Sequence, residues 1–344
     1  VAIRLIQVGL GRWGQNWFQH IVSQSKAAEA VAWVEIDAQA LVEAQQRLEL
    51  PTDRCFLSLE EALAAVPADA VLITASLSGH VPTTRAALLA EKHVLVEKPF
   101  APTLAEAAEL VKLAEQVQKI LMVSQNYRFG LAVLTARELV RRQALGPVSS
   151  VEIDFRRSAN TAHATDHRHY RLWHPLLVDM AIHHFDLMRF VLGQEPRQVM
   201  GKAWNPAWSN FVDPPAVCLT ITFDGGTIVN YRGSWISQGP TTNWCGEWHM
   251  DCEGGQITWT GRGELPDKVL LRPSGKRPRA VKLPPMDFLD RQGSLQTFAQ
   301  AVENGEIPES SGLDNLKTLA LMFAAIKAVE SGLPVAVSDT IPLA

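Results

Sequence analysis

Lys98 stands between Glu97 and Pro99 at the end of an apolar run, residues 92–99, KHVLVEKP. An ammonium group there can hydrogen-bond a substrate oxygen and share its proton during hydride transfer. Taken alone it reads equally well as a surface lysine after an edge strand. Pro99 restricts Lys98 and is expected to keep the chain extended, aiming the ammonium group out of a sheet edge. Asp179 and His183 lie four apart in residues 176–190, LLVDMAIHHFDLMRF, so on a helix they share one face. Inside an otherwise apolar helix such a pair is costly unless it is used or well partnered. Histidine carries a proton near neutral pH, and a carboxylate orients a substrate or holds the histidine. The bland alternative is a buried structural Asp–His pair. His184 points to another side, with a packing or hydrogen-bonding role, and Asp186 suits an anchor for it or for nearby backbone.

These groups need a scaffold, and the opening residues describe one. Residues 3–8, IRLIQV, have the look of a buried parallel strand, and Gly9-Leu10-Gly11-Arg12-Trp13-Gly14 follows, running into a helix over 13–25. A GxGxxG loop alone is a weak signal. Here a strand precedes it, a helix follows, and an acidic residue, Glu35, lies 21 positions after Gly14. Gly9 permits the tight turn, Gly11 lets a pyrophosphate approach the backbone, and Gly14 lets helix and strand pack closely. The helix amino end offers N–H groups to the phosphates. The bland alternative is a similar domain that binds no ligand. Glu35 and Asp37 are placed to meet the adenosine ribose. A carboxylate accepts both ribose hydroxyls and repels a 2′-phosphate, so NAD is favoured, with NADP as the alternative. Asp37 also suits a cap of the next helix, and Arg12 a phosphate.

Strands expected at 30–37, 70–74, 93–97 and 120–124 alternate with helices at 38–48, 60–65, 81–91 and 103–117. That alternation specifies an α/β, doubly wound parallel sheet, the Rossmann domain of residues 1–125. From 126 the rhythm changes. After a helix at 131–143, strands are expected at 148–155, 197–204, 216–223, 227–236, 244–253 and 256–260, without intervening helices. Residues 126–344 are therefore expected to form an α+β domain with a large, mostly antiparallel open-faced sheet. Helices at 290–304 and 313–331 close the chain and are expected to pack on this sheet or on the first domain.

With 344 residues, 47% of them hydrophobic and 20% charged, the chain has enough apolar material for two cores. A net charge of -4 and the absence of a dense basic tract argue against nucleic acid as a partner. No stretch reaches the length of a membrane span, and the first residues read as strand rather than as a secretion signal. Starting at Val1, the sequence is expected to have had an initiator methionine removed or omitted. Cys55, Cys218, Cys245 and Cys252 form no CxxC pair, which suits reduced thiols in a cytoplasmic protein. The segment 156–175, RRSANTAHATDHRHYRLWHP, is rich in histidine, but His163, His167, His169 and His174 fit no metal motif, and no metal is expected. A loop over a substrate pocket explains it as well. Arg156, Asp166, His169, Tyr170, Arg171 and Trp173 suit hydroxyl binding or sugar stacking, and Tyr127 and Arg128 suit cofactor or substrate. A carboxylated substrate remains open on account of Arg128, Arg156 and Arg171.

In combination, these features resemble the Gfo/Idh/MocA oxidoreductase family, which includes glucose–fructose oxidoreductase and inositol dehydrogenase. The marks are the GLGRWG loop, Glu97-Lys98-Pro99, Asn126-Tyr127-Arg128-Phe129 and Asp179-Met180-Ala181-Ile182-His183, in this order along nearly the whole chain. The resemblance implies hydride exchange between a nicotinamide cofactor and a hydroxyl-bearing carbon of a sugar, cyclitol or derivative. It implies a catalytic trio of Lys98, Asp179 and His183 and leaves open whether the lysine or the histidine is the main proton relay; we take His183 as acid/base and Lys98 as polarising the oxygen. It implies cofactor contacts from Gly9, Gly11, Arg12, Trp13, Gly14, Glu35, Asp37, Thr74, Ala75, Ser76, His80, Glu97, Lys98, Gln125 and Asn126. It also implies a homodimer or homotetramer built on the second sheet, whose many tryptophans would bury area there. The chain departs from the family where Leu77 replaces a frequent asparagine, Ala181 a frequent glycine, and Trp173-His174-Pro175-Leu176-Leu177 a glycine-rich stretch. Two other classes use the same fold: NAD-assisted glycosidic cleavage with retained cofactor, and a non-catalytic sensor.

Overall fold

A computed structural model describes residues 2–161, 168–261 and 265–340. Apolar runs become strands and amphipathic runs become helices in the expected alternation. In chain order these are β1 (Ile3–Val8), α1 (Arg12–His20), β2 (Ala28–Val34), α2 (Ala38–Leu48), β3 (Cys55–Phe56), α3 (Leu59–Ala65), β4 (Ala70–Ile73), α4 (Leu77–Leu89), β5 (His93–Val96), α5 (Leu104–Gln116) and β6 (Leu121–Val123). Local chemistry sets several helix starts. Asp37 accepts hydrogen bonds from the N–H groups of Gln39 and Ala40, Ser58 from Glu61, and Thr103 from Glu106. The order β3-β2-β1-β4-β5-β6, with every pairing parallel, reverses direction between β1 and β4. The carboxyl ends of these two strands are where such a sheet binds ligands.

The chain continues with α6 (Leu131–Arg141), β7 (Val148–Arg156), a π-helical segment (Leu176–Ala181), α7 (Ile182–Leu192), β8 (Pro196–Trp204), β9 (Ala216–Phe223), β10 (Ile228–Ser234), β11 (Glu247–Cys252), β12 (Gly255–Thr260), β13 (Lys268–Pro273) and β14 (Arg279–Val281). It ends with α8 (Asp290–Asn304), α9 (Gly312–Ser331) and β15 (Val335–Ala336). The second sheet has the order β14-β13-β12-β11-β7-β10-β9-β8-β15. Its neighbours run antiparallel except β7 and β10. The short strands β3, β14 and β15 and the proline-ended β13 escape sequence reading, because two to six residues with charged or proline flanks carry too little period-two signal.

Two compact units result, Val1–Asn126 with Phe288–Leu316, and Tyr127–Asp287 with Lys317–Ala344. Residues 288–316 thus belong to the first unit. There Leu295, Phe298 and Ala299 of α8 join Ile3, Leu5, Trp17, Leu72, Leu95 and Met122 in one core. In the second unit Tyr231, Trp235, Trp248 and Trp259 are buried, and Trp248 and Trp259 stack across the β11–β12 pair at 5.3 Å. Most of the sheet's aromatic area therefore lies in its own core, and Trp204 is exposed. Among the described residues, no helix is long and apolar enough to cross a membrane.

Candidate functional site

The glycine loop is built by backbone that no side chain can replace. Gly9 has φ +94°, and a Cβ there would lie 2.4 Å from the Ala75 nitrogen. A Cβ on Gly14 would lie 1.8 Å from the Gly9 carbonyl oxygen. Gly11, by contrast, faces open space, with nothing within 4 Å of a Cβ. It caps α1, whose first N–H groups have no intrahelical acceptor. An open, glycine-walled cradle over a helix amino end fits a dinucleotide pyrophosphate. Thr74 closes the cradle from below, donating its hydroxyl to the Gly9 carbonyl at 2.7 Å. Buried Gln7 donates to the Gly14 carbonyl at 2.7 Å. Sequence reading passed over Gln7; the signal is an uncharged polar residue within an apolar, fully buried strand.

Of the two acids considered for the ribose, Asp37 is committed to capping α2. Glu35 accepts the Leu10 N–H at 2.7 Å, which holds its carboxylate against the loop. Arg12 and Trp13 are exposed. Ser76 caps α4 by position, and its hydroxyl meets that of Ser78 at 3.1 Å. α4 begins at Leu77, four residues ahead of the expected 81, so His80 is helical. Its ring nitrogens lie 2.8 Å from the Pro99 carbonyl and 3.0 Å from the Ala75 carbonyl. His80 therefore ties the loop after β4 to the residue following Lys98. Burial, aided by the Lys98 charge, pushes its pKa down against the pull of the two carbonyls.

The Lys98–Pro99 peptide is cis, where sequence reading expected only an extended chain. Glu97, just before it, is buried and accepts the Trp17 indole N–H at 2.7 Å. Burial raises its pKa, while Lys98, Trp17, Trp13 and Arg291 oppose the rise. The Arg291 guanidinium lies over Trp13 at 4.4 Å and Trp17 at 5.5 Å. This arginine in the first turn of α8 carries no sequence signal; only the return of 288–316 to the first unit brings it to the glycine loop. Gln125 and Asn126 are buried, and Asn126 donates to Asp290.

In the second unit the chain is wound as a π-helix over Leu176–Ala181 before α7 begins. The Asp179–His183 spacing therefore spans a π-to-α junction rather than one regular helix, and such junctions are frequent at functional sites. His183 is buried, and its ring stacks on Tyr127 at 4.2 Å and 17°. Asp179 lies 3.4 Å from His169 Nε2. His184 has its own partners. Nε2 meets the Trp244 carbonyl at 2.8 Å, and a carbonyl only accepts, so Nε2 carries the proton. Nδ1 then accepts from the Tyr231 hydroxyl at 2.9 Å. Burial pushes the His184 pKa down to about 4.

Several residues expected to contact substrate have partners within the protein. Arg128 is buried and donates twice to Asp186, at 2.7 and 2.6 Å, so Asp186 anchors Arg128 and not His184. Arg156 lies 3.0 Å from Asp154, two residues away on the same sheet face. Tyr170 is buried on Phe211 and donates to the Ala159 carbonyl at 3.0 Å. Trp173 and Arg171 are exposed, and His174 pairs with Glu330 at 2.9 Å. Asp166, with His163 and His167, lies outside the described residues. Arg157, passed over in favour of its neighbour, follows Phe155 on the opposite face and lies 4.0 Å over the Trp244 ring.

A profile described as an oxidoreductase family with an NAD-binding Rossmann fold matches residues 3–125, and the GFO/IDH/MocA C-terminal domain matches residues 133–258. The chain belongs to the Gfo/Idh/MocA oxidoreductase family. An uncharacterised protein of Sinorhizobium fredii is 27% identical to this Gfo/Idh/MocA member over 98% of the chain and 97% of its own length. The myo-inositol 2-dehydrogenase of Thermotoga maritima is 25% identical over 98% of the chain and its full length. Among solved structures, an Agrobacterium radiobacter oxidoreductase in complex with NAD+, L-tartaric acid and magnesium superimposes with a TM-score of 0.85. It is 19% identical and covers 98% of this chain and 99% of its own. This last likeness concerns the fold of the Gfo/Idh/MocA oxidoreductase alone.

Proposed function

We propose that the protein oxidises or reduces a secondary hydroxyl carbon of a sugar, cyclitol or sugar derivative with NAD as the preferred cofactor. The observation that carries this proposal is the buried His183, stacked on Tyr127 at a π-to-α junction within an otherwise apolar segment. The family and the myo-inositol 2-dehydrogenase among its relatives support the substrate class.

The nicotinamide, when bound, supplies the hydride acceptor or donor. Gly9, Gly11 and Gly14 leave room for the pyrophosphate, and the first N–H groups of α1 hold it. Glu35 accepts the ribose hydroxyls and repels a 2′-phosphate, which favours NAD. His183 takes the hydroxyl proton as general base and returns it in the reverse direction. Its stacking on Tyr127 fixes the plane of the ring. Lys98 has the charge to stabilise negative charge that develops on a substrate oxygen. Asp179, with His169 beside it, orients the substrate. We further propose assembly as a homodimer or homotetramer through the second sheet, whose Met200, Trp204 and Ile228 are exposed.

The test is the absorbance of reduced nicotinamide while sugars, cyclitols and sugar acids are mixed with enzyme and NAD or NADP. A net rise with one substrate, larger with NAD, is expected. Protein that binds NAD yet reduces it with no member of the panel contradicts the proposal.

A further inference from the structure

A chain of contacts in the second unit runs from Tyr127 to Arg157, partly through backbone. Tyr127 stacks on His183. His183 is followed by His184, whose Nε2–H holds the Trp244 carbonyl. The Trp244 ring carries the Arg157 guanidinium at 4.0 Å. The proposed base and this arginine are therefore fixed in one local frame.

What sets Arg157 apart is its company. Arg128 has Asp186 and Arg156 has Asp154, while Arg171 lies exposed. Arg157 is half-buried, yet among the described residues no carboxylate pairs with it, and its buried Nε has no hydrogen-bond partner. Burial pushes its pKa down. A partly desolvated cation is costly unless something compensates it. Trp244 covers one face of the guanidinium plane and leaves the edge, with its fork of donors, for a ligand. A planar fork of N–H groups matches an oxyanion.

We propose that Arg157 is a specificity-determining residue that binds an oxyanion carried by the substrate, so that the enzyme prefers a sugar acid or sugar phosphate to the neutral sugar. The assignment presupposes the oxidoreductase activity proposed above. It places the anionic group on the Trp244 side of the hydroxyl from which His183 takes the proton.

The experiment measures equilibrium binding of D-gluconate, D-glucuronate, glucose 6-phosphate, D-glucose and myo-inositol to the NAD-loaded protein, by calorimetry, and NADH formation with each. Wild type is expected to bind an anionic probe about tenfold or more tighter than its neutral counterpart. Arg157→Gln is expected to lose that preference while NAD affinity and the melting temperature stay put, and Arg157→Lys to keep part of it. Whether carboxylate or phosphate binds tighter names the source of the oxyanion. Equal binding of anionic and neutral probes by wild type, no binding of any anionic probe, or an equal loss for both kinds in Arg157→Gln overturns the assignment. NADH formed from an anionic sugar at an unchanged rate in Arg157→Gln would do so while leaving the oxidoreductase function intact.

Discussion

The glycine loop of the first unit and the His183 region of the second are built by opposite means. The loop is backbone: its shape depends on the missing Cβ atoms of Gly9 and Gly14 and on carbonyls fixed by Gln7 and Thr74. The His183 region is side chain: a stacked Tyr127, a π-helical turn and a network of buried polar partners. A backbone site fails when an atom is added, and a side-chain site fails when one is removed. It follows that the first should be sensitive in cofactor affinity and the second in turnover and stability.

The largest expected effect lies on turnover. His183→Ala should lower kcat by roughly 10²–10⁴-fold, the usual worth of a general base. NAD affinity, read by titration of protein fluorescence, should stay unchanged. If NAD affinity fell in step with kcat, the division of labour between loop and helix would be lost.

Next comes stability. Arg128→Met leaves Asp186 buried without its partner and should cost about 3–5 kcal/mol in denaturant unfolding. The double variant with Asp186→Leu should recover much of that loss, because the pair is replaced rather than broken. A loss under about 1 kcal/mol, the range of an exposed pair, would show that the ion pair is not buried in solution.

Smaller again, Gly14→Ala forces its methyl group into the Gly9 carbonyl and should cost about 1–3 kcal/mol, a typical overpacking penalty. The loss should appear in NAD affinity, with the rate at saturating cofactor nearly preserved. A variant that binds NAD normally would mean that the loop is not the cradle.

The smallest effect is a pH dependence. His184 titrates at about 4 in the folded protein, below the ordinary imidazole value of 6.5. The unfolded chain binds more protons in that window, so the stabilisation is complete above pH 6.5 and declines as pH falls toward 4. The urea midpoint should follow that slope in wild type. His184→Gln should flatten it.

The same contrast explains what was legible in the sequence. Strand, glycine turn and helix are local, so β1, the loop and the parallel sheet could be read from residues 3–124, and the switch to a mostly antiparallel sheet from the loss of intervening helices. Partner choice is not local. Nothing near Arg128 in the chain announces Asp186, and nothing near Trp13 announces Arg291. Arg157 was within reach, since period-two alternation after Phe155 puts it opposite Arg156. The π-turn was not, because an i→i+5 ladder leaves no hydrophobic period of its own in six residues.

The most direct test of the central claim is a single turnover with a substrate deuterated at its reacting carbon. The account predicts that the reduced nicotinamide carries the deuterium, that its formation is slowed by the isotope, and that His183→Ala slows it further without changing where the deuterium goes. Product formed with no deuterium in the nicotinamide would contradict it.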